Sequence, residues 1–347
     1  MQRARSLSVG IGVVAILAAG VIHFDSPRAH GLARPISDAN VATDLAAELP
    51  TSARPDRSAP ELAPSDTPET TDPTLLPGAI EVDAMLRSYP GRFTRSEVRD
   101  GEWAIEMDGQ WYYWAQGRLL PSDLRAQAEH FIPIRFYRYD LGPISPRVID
   151  DELAEQLRTR GSAASGDQGD GRMRFNGFLD ALYGISSERD AEFTVVPTRF
   201  LGFRTRVHPI LVEPLERVER RIRVAMLSDD ALRGFVEGLA VVSGYNWRNI
   251  AGTLRRSYHS YGVAVDLVPT SYQGRWAYWL WAAQGGIDEW WDIPLAARWT
   301  VPDAIVDAFE QEGFIWGGKW LSFDNLHFEY RPEAILMAQE RERRVVE

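Results

Sequence analysis

Residues 256–269 read RSYHSYGVAVDLVP. A His is followed by a Gly, and then by an Asp set in a run of Val, Ala and Leu. The apolar run predicts a buried strand. A buried carboxylate without a partner costs several kcal/mol, so Asp266 is expected to face a cation, a metal or a set of donors. Read as a strand, Ala264, Asp266 and Val268 share one face, and Val263, Val265 and Leu267 the other. Gly262 lets the backbone turn into the strand, and Ala264 leaves room beside the carboxylate. His259 stands ahead of that turn, so its ring and the Asp266 carboxylate can converge on one point.

A second stretch, FDNLHFEY at residues 323–330, supplies a third donor. His327 opens a predicted strand with His327 and Glu329 on one face, and Phe328 and Tyr330 on the other. Asp324 lies in the preceding turn. Two His and one Asp give three nitrogen and oxygen ligands with a fourth position open to water. That is the catalytic pattern for zinc, as distinct from the closed structural one. One Zn2+ per chain is therefore expected, held by His259, Asp266 and His327. Asp324 is placed to take a proton from the bound water and pass it to a leaving amine. Singly, each residue has an ordinary use, as a hydrogen-bonded His or a turn Asp; order and spacing join them. No HExxH, G-x-S-x-G or P-loop motif occurs. His130 and His208 lack partners at useful spacing, and His23 and His30 fall in the targeting segment and the tether.

The rest of the chain sets the context. It has 347 residues, a formal charge of −11 and no Cys. The charge argues against nucleic acid or anionic lipid as partner. The absence of Cys excludes disulfides, thiolate metal sites and a cysteine nucleophile. Arg3 and Arg5 precede the apolar stretch LSVGIGVVAILAAGVI at residues 7–22, so residues 1–24 read as a signal peptide or signal anchor. The expected location is periplasmic or cell-envelope, with membrane contact only through this segment. Residues 25–75 are rich in Pro, Ser, Thr, Ala and acidic residues and read as a disordered tether. Residues 76–160 read as a small β-rich accessory region. There EWAIEMDGQWYYWAQGRLLP predicts a hairpin at Asp108-Gly109 and a second turn at Gln116-Gly117, giving a three-stranded meander. Its aromatic residues, Trp103 and Trp111 to Trp114, are expected mainly to pack the sheet. Residues 161–171, GSAASGDQGDG, read as a flexible loop.

Residues 172–340 read as the zinc-bearing domain. Leu211, Leu215, Val218 and Ile222 share a helical face. DDALRGFVEGLAVVSG reads as a second helix ending at Gly244. PDAIVDAFEQEGF reads as a third, opened by Pro302 and stopped by Gly313. Strands are expected at Ala264–Val268, Ile315–Trp316 and His327–Tyr330. The fold class is α+β: a small antiparallel sheet flanked by helices and carrying the zinc site, preceded by the β-rich region.

The pattern Ser257-x-His259-x-x-Gly262-x-Ala264-x-Asp266, followed later by Asp324-x-x-His327, resembles the LAS-type zinc peptidases. These include D-alanyl-D-alanine carboxypeptidases, L-alanyl-D-glutamate endopeptidases of phage lysins and the metal-binding domain of hedgehog. GFIWGGKW at 313–320 and HFEY at 327–330 resemble the endopeptidase branch, and YNWRNIAGTLRRSYHSYG the approach to the first ligand. The resemblance covers roughly residues 200–332. It implies His259, Asp266 and His327 as zinc ligands and Asp324 as general base, where much of the family has Glu. Glu329 is the rival carboxylate, with an outer-shell role expected. Arg248 occupies the place of an Arg that stabilises the oxyanion or binds a substrate carboxylate. Arg255 and Arg256 are its neighbours in the sequence, and Ser257 is a candidate substrate-binding residue. The implied substrate is a peptidoglycan stem peptide. The alternative is a catalytically inactive zinc-holding module that binds cell wall or a partner, against which the presence of Asp324 argues.

Overall fold

Two Asp-Gly pairs set up the first sheet of the computed structural model, which describes residues 73–134, 139–144, 147–163, 172–251 and 253–346. Asp100-Gly101 has φ of 51° and 80°, and Asp108-Gly109 has 52° and 80°. Positive φ at both central positions is what a two-residue hairpin with matching twist requires. After helix α1 (Ala79–Ser88) they join β1 (Arg95–Arg99), β2 (Glu102–Met107) and β3 (Gln110–Tyr113) in an antiparallel meander of order β1-β2-β3. The predicted meander exists, but the strand it adds to the Asp108 hairpin is β1, on the N-terminal side, and not one beyond Gln116-Gly117. At Gln116-Gly117 only an isolated Tyr113–Leu120 bridge forms. Trp111 lies under the guanidiniums of Arg95 and Arg99 at 5.1 and 4.3 Å, while Tyr112, Tyr113 and Trp114 are buried.

The short parallel strands β4 (Phe131–Ile132) and β5 (Met173–Arg174) flank helix α2 (Asp151–Ala163). Residues 161–163, expected to begin a loop, are thus the last residues of a helix. Residues 164–171 lie outside the described residues, as do the targeting segment and the tether up to residue 72. Residues 73–75 form a short 3-10 turn. Among the described residues, no helix is long and apolar enough to cross a membrane.

Helices α3 (Gly177–Tyr183) and α4 (Glu188–Thr194) precede a hairpin of β6 (Val196–Phe200) and β7 (Phe203–Val207). Helix α5 (Val212–Ala225) buries Leu215, Val218 and Ile222, as its periodicity predicts. Each fully buried aliphatic side chain of this kind contributes about 1.5–3 kcal/mol. Helix α6 (Asp230–Glu237) is capped by Asp229, whose carboxylate accepts from the Leu232 amide at 2.9 Å. It ends at Gly238, earlier than predicted. The following LAVVS is strand β8 (Leu239–Ser243), because its Val pair pleats against a neighbouring strand.

The central sheet has the order β10-β11-β9-β8, all antiparallel, with β9 at Ala264–Pro269, β10 at Phe314–Trp316 and β11 at His327–Tyr330. Helices α7 (Trp279–Gln284), α8 (Asp303–Glu310) and α9 (Pro332–Val346) complete the α+β fold. Phe328 stacks on Phe309 of α8 at 3.9 Å. That packing fixes which way β11 faces, and by the pleat it turns His327 and Glu329 to the opposite side. The main core runs from Val82 and Met85 of α1 through Phe178 and Leu215 to Phe328, so the residues of 76–160 share a core with those of 172–340.

Candidate metal centre

Asp266 and His327 are direct cross-strand partners in the β9–β11 register. Opposite residues of an antiparallel pair project from the same face, so the pairing itself brings the two side chains together. Asp266 Oδ1 lies 2.8 Å from His327 Nδ1 and 3.1 Å from His259 Nε2, and the two ring nitrogens are 3.1 Å apart. Asp266 is half-buried, and what it faces is a pair of imidazoles. The cluster of His259, Asp266 and His327 is the group of metal-competent side chains found among the described residues.

His259 arrives from a 3-10 turn, Tyr258–Tyr261, and the local sequence builds that turn. Ser257 caps it by accepting from the His259 amide at 3.3 Å. Gly262 ends it with φ 67°; a Cβ there would meet the His208 amide nitrogen at 2.7 Å. The Gly262 carbonyl accepts from that same amide at 2.8 Å. Ser257 is only 4% exposed, and its hydroxyl is engaged in this cap.

The far nitrogens of both rings are already bound. His259 Nδ1 donates to the Gly244 carbonyl at 2.6 Å, and His327 Nε2 donates to Glu329 Oε1 at 3.2 Å. Carbonyl and carboxylate oxygens only accept, which assigns the protons to those nitrogens. In the neutral rings this leaves the lone pairs of His259 Nε2 and His327 Nδ1 for a cation at the point they share with Asp266; without one, a proton there takes its place. This is the arrangement by which outer partners orient metal-binding imidazoles. Zinc bonds of ~2.0–2.2 Å in a tetrahedral shell set donors roughly 3.3–3.6 Å apart, close to the separations seen. The charges agree. Burial works against ionisation of Asp266, yet His259 and His327 hold its carboxyl well below the usual range. Burial likewise opposes a charge on His327, but Asp266 and Glu329 push it well above the usual imidazole value. Two carboxylates around this point favour a positive charge there. The residues present fit a divalent cation.

Asp324 is outside the three-residue cluster and beside it. Its backbone is tied to Gly317, whose carbonyl accepts from the Asp324 amide at 3.0 Å, and it bridges to Tyr278. A Cβ at Gly317 would meet the Asp324 carbonyl oxygen at 2.6 Å, which accounts for a Gly at this point of the WGG run. Burial pushes the Asp324 carboxyl up to about 7; the charge of His327 opposes this and that of Asp266 adds to it. The Leu326 amide and Arg248 also favour its ionised form. Arg248 is exposed, with its backbone held by the Ser260 hydroxyl at 2.9 Å. Arg256, by contrast, pairs with Asp180 and lies 4.7 Å over the Trp247 ring. Of these two, Arg248 is the one whose charge acts on Asp324.

Sequence reading missed Gly244, which orients His259, and the aromatic residues Tyr272 and Tyr278. Burial, then the charges of Asp266 and Asp324, push the Tyr272 hydroxyl up to about 12. Nothing in the local sequence distinguishes these tyrosines from packing residues.

Residues 251–330 match a family model described as D-alanyl-D-alanine carboxypeptidase. The matched segment contains His259, Asp266, Asp324 and His327, and Arg248 falls just before it. This part of the chain is similar to a peptidase family, in keeping with the His/Asp/His cluster. Residues 81–136 match a second model, described as a domain of unknown function. No curated protein and no solved structure matches the chain.

Proposed function

We propose that the protein is a zinc-dependent peptidase that hydrolyses peptidoglycan stem peptides outside the cytoplasm. The observation that supports this most directly is the convergence of His259 Nε2, Asp266 Oδ1 and His327 Nδ1 within a segment similar to a peptidase family. These three residues would hold the zinc, which when bound polarises a peptide carbonyl and acidifies a water. Asp324 accepts a proton at its carboxylate and returns it to the leaving nitrogen. Burial raises its carboxyl and the charge of a bound dication lowers it, so it is ionised and ready to accept that proton near neutral pH. Arg248 supplies a permanent positive charge beside Asp324, suited to a developing oxyanion or to a substrate carboxylate. The basic and apolar N-terminal residues 3–22 support export, with the enzyme carried at the envelope.

Two bonds of the stem peptide are candidates. HFEY and WGG favour the L-alanyl-D-glutamate bond, and a cationic Arg248 suits the free carboxylate of a D-alanyl-D-alanine terminus. Digestion of purified muropeptides by the zinc-loaded protein, followed by mass analysis, separates them. Loss of a terminal D-alanine marks the carboxypeptidase; release of the peptide from its L-alanine marks the endopeptidase. If no stem-peptide bond is cut, the protein is a zinc-holding module and the proposal fails.

A further inference from the structure

Behind the cluster runs a line of buried charge that peptide hydrolysis does not itself require. Glu329, Arg331 and Glu333 are 5%, 2% and 2% exposed. Ionised groups are almost never so deeply buried unless each is paired, and removing one partner from such a set is strongly destabilising. The pairing can be followed atom by atom. Glu329 Oε1 accepts from His327 Nε2, and its Oε2 lies 3.7 Å from Arg331 Nη1 with no hydrogen bond of its own. Arg331 Nε donates to Glu333 Oε1, and Arg331 Nη1 to the Tyr258 hydroxyl at 3.2 Å. The guanidinium also sits over the Tyr258 ring at 5.3 Å. Glu333 Oε2 accepts from the Tyr89 hydroxyl at 3.0 Å.

Arg331 thus touches both histidine-bearing elements. Through Glu329 it reaches His327 on β11, and through Tyr258 it reaches the turn that presents His259. Tyr89, just past the end of α1, belongs to the segment matched by the domain of unknown function. We propose that Arg331 is the positioning residue of the metal centre, clamping both histidine segments, and that Glu333 and Tyr89 anchor it. The region around α1 then contributes to metal affinity across 244 residues of chain. This rests on the reading of His259, Asp266 and His327 as metal ligands.

The test is zinc affinity, measured by competition with a chelating dye on the full chain, together with the thermal midpoint of the metal-free protein. Outer partners of metal ligands contribute about 10–100-fold in affinity, so Arg331→Lys, which keeps the charge and loses the fork, is expected to weaken zinc by that much. Tyr89→Phe removes one hydroxyl far from the metal and is expected to cost about two- to tenfold. Tyr139→Phe is the control. It removes an equally buried hydroxyl, one that donates to Glu310 and accepts from the Trp316 amide, and it has no bond to the Arg331 line. It is expected to lower the thermal midpoint and leave zinc affinity at the wild-type value. Wild-type affinity in both Arg331→Lys and Tyr89→Phe overturns the proposal while leaving the metal site intact. Equal zinc loss in Tyr139→Phe and Tyr89→Phe also overturns it, since general loosening then suffices. A wild-type protein that binds no zinc removes the metal reading itself, and this proposal with it.

Discussion

Asp324→Asn is expected to lower kcat by about 10²–10⁴-fold while zinc content stays at the wild-type level. Asn is nearly isosteric, so the bonds to the Gly317 carbonyl and the Leu326 amide survive. What is lost is the carboxylate that carries the proton. The pH profile gives a second reading of the same residue. A base works only when deprotonated, so activity rises with pH through its pKa. Burial pushes Asp324 up to about 7 in the metal-free chain, and the charge of a bound dication lowers it. The acid limb of kcat/KM is therefore expected below pH 7 in the wild type and absent from Asp324→Asn. A variant with unchanged kcat places the base elsewhere, and Glu329 is the next carboxylate to examine.

The second large effect is on metal. His259→Ala is expected to weaken zinc binding by more than the roughly 10–100-fold that outer partners contribute, leaving the purified protein without zinc. The loss is greater than a missing donor alone suggests. Asp266 keeps only His327 beside it, and the Gly244 carbonyl loses the Nδ1 proton it accepts. Elemental analysis of the purified variant decides the matter; a fully loaded His259→Ala rules out the site.

The convergence of His259, Asp266 and His327 was readable in the chain because its chemistry is written against its surroundings. An Asp in the run VAVDLV is costly unless something pays it back in charge, and the two nearest imidazoles in the fold do so. The Gly at 262 and the Gly at 317 mark the places where backbone crowds the residues they position. Strand β11 matched its predicted bounds because its alternation is strict. Other features were hidden for physical reasons. The meander was displaced because Asp100-Gly101 makes a turn of the same kind as Asp108-Gly109, and the strand before it, RSEVR, is mostly polar. Helix α6 and strand β8 run together in sequence, and only Gly238 separates them. The hairpin β6–β7 turns at Leu201-Gly202, with φ of 51° and 89°, where the sequence shows no Asn or Asp. The Tyr89–Glu333–Arg331–Glu329 line is assembled from distant segments, so no local pattern announces it.

The most direct measurement is zinc-edge X-ray absorption on the purified wild-type protein. The account predicts about one zinc per chain in a four-coordinate shell of nitrogen and oxygen at ~2.0–2.2 Å, with two imidazoles resolved in the outer scattering. A shell with one imidazole or none, or a protein that takes up no zinc, would contradict it.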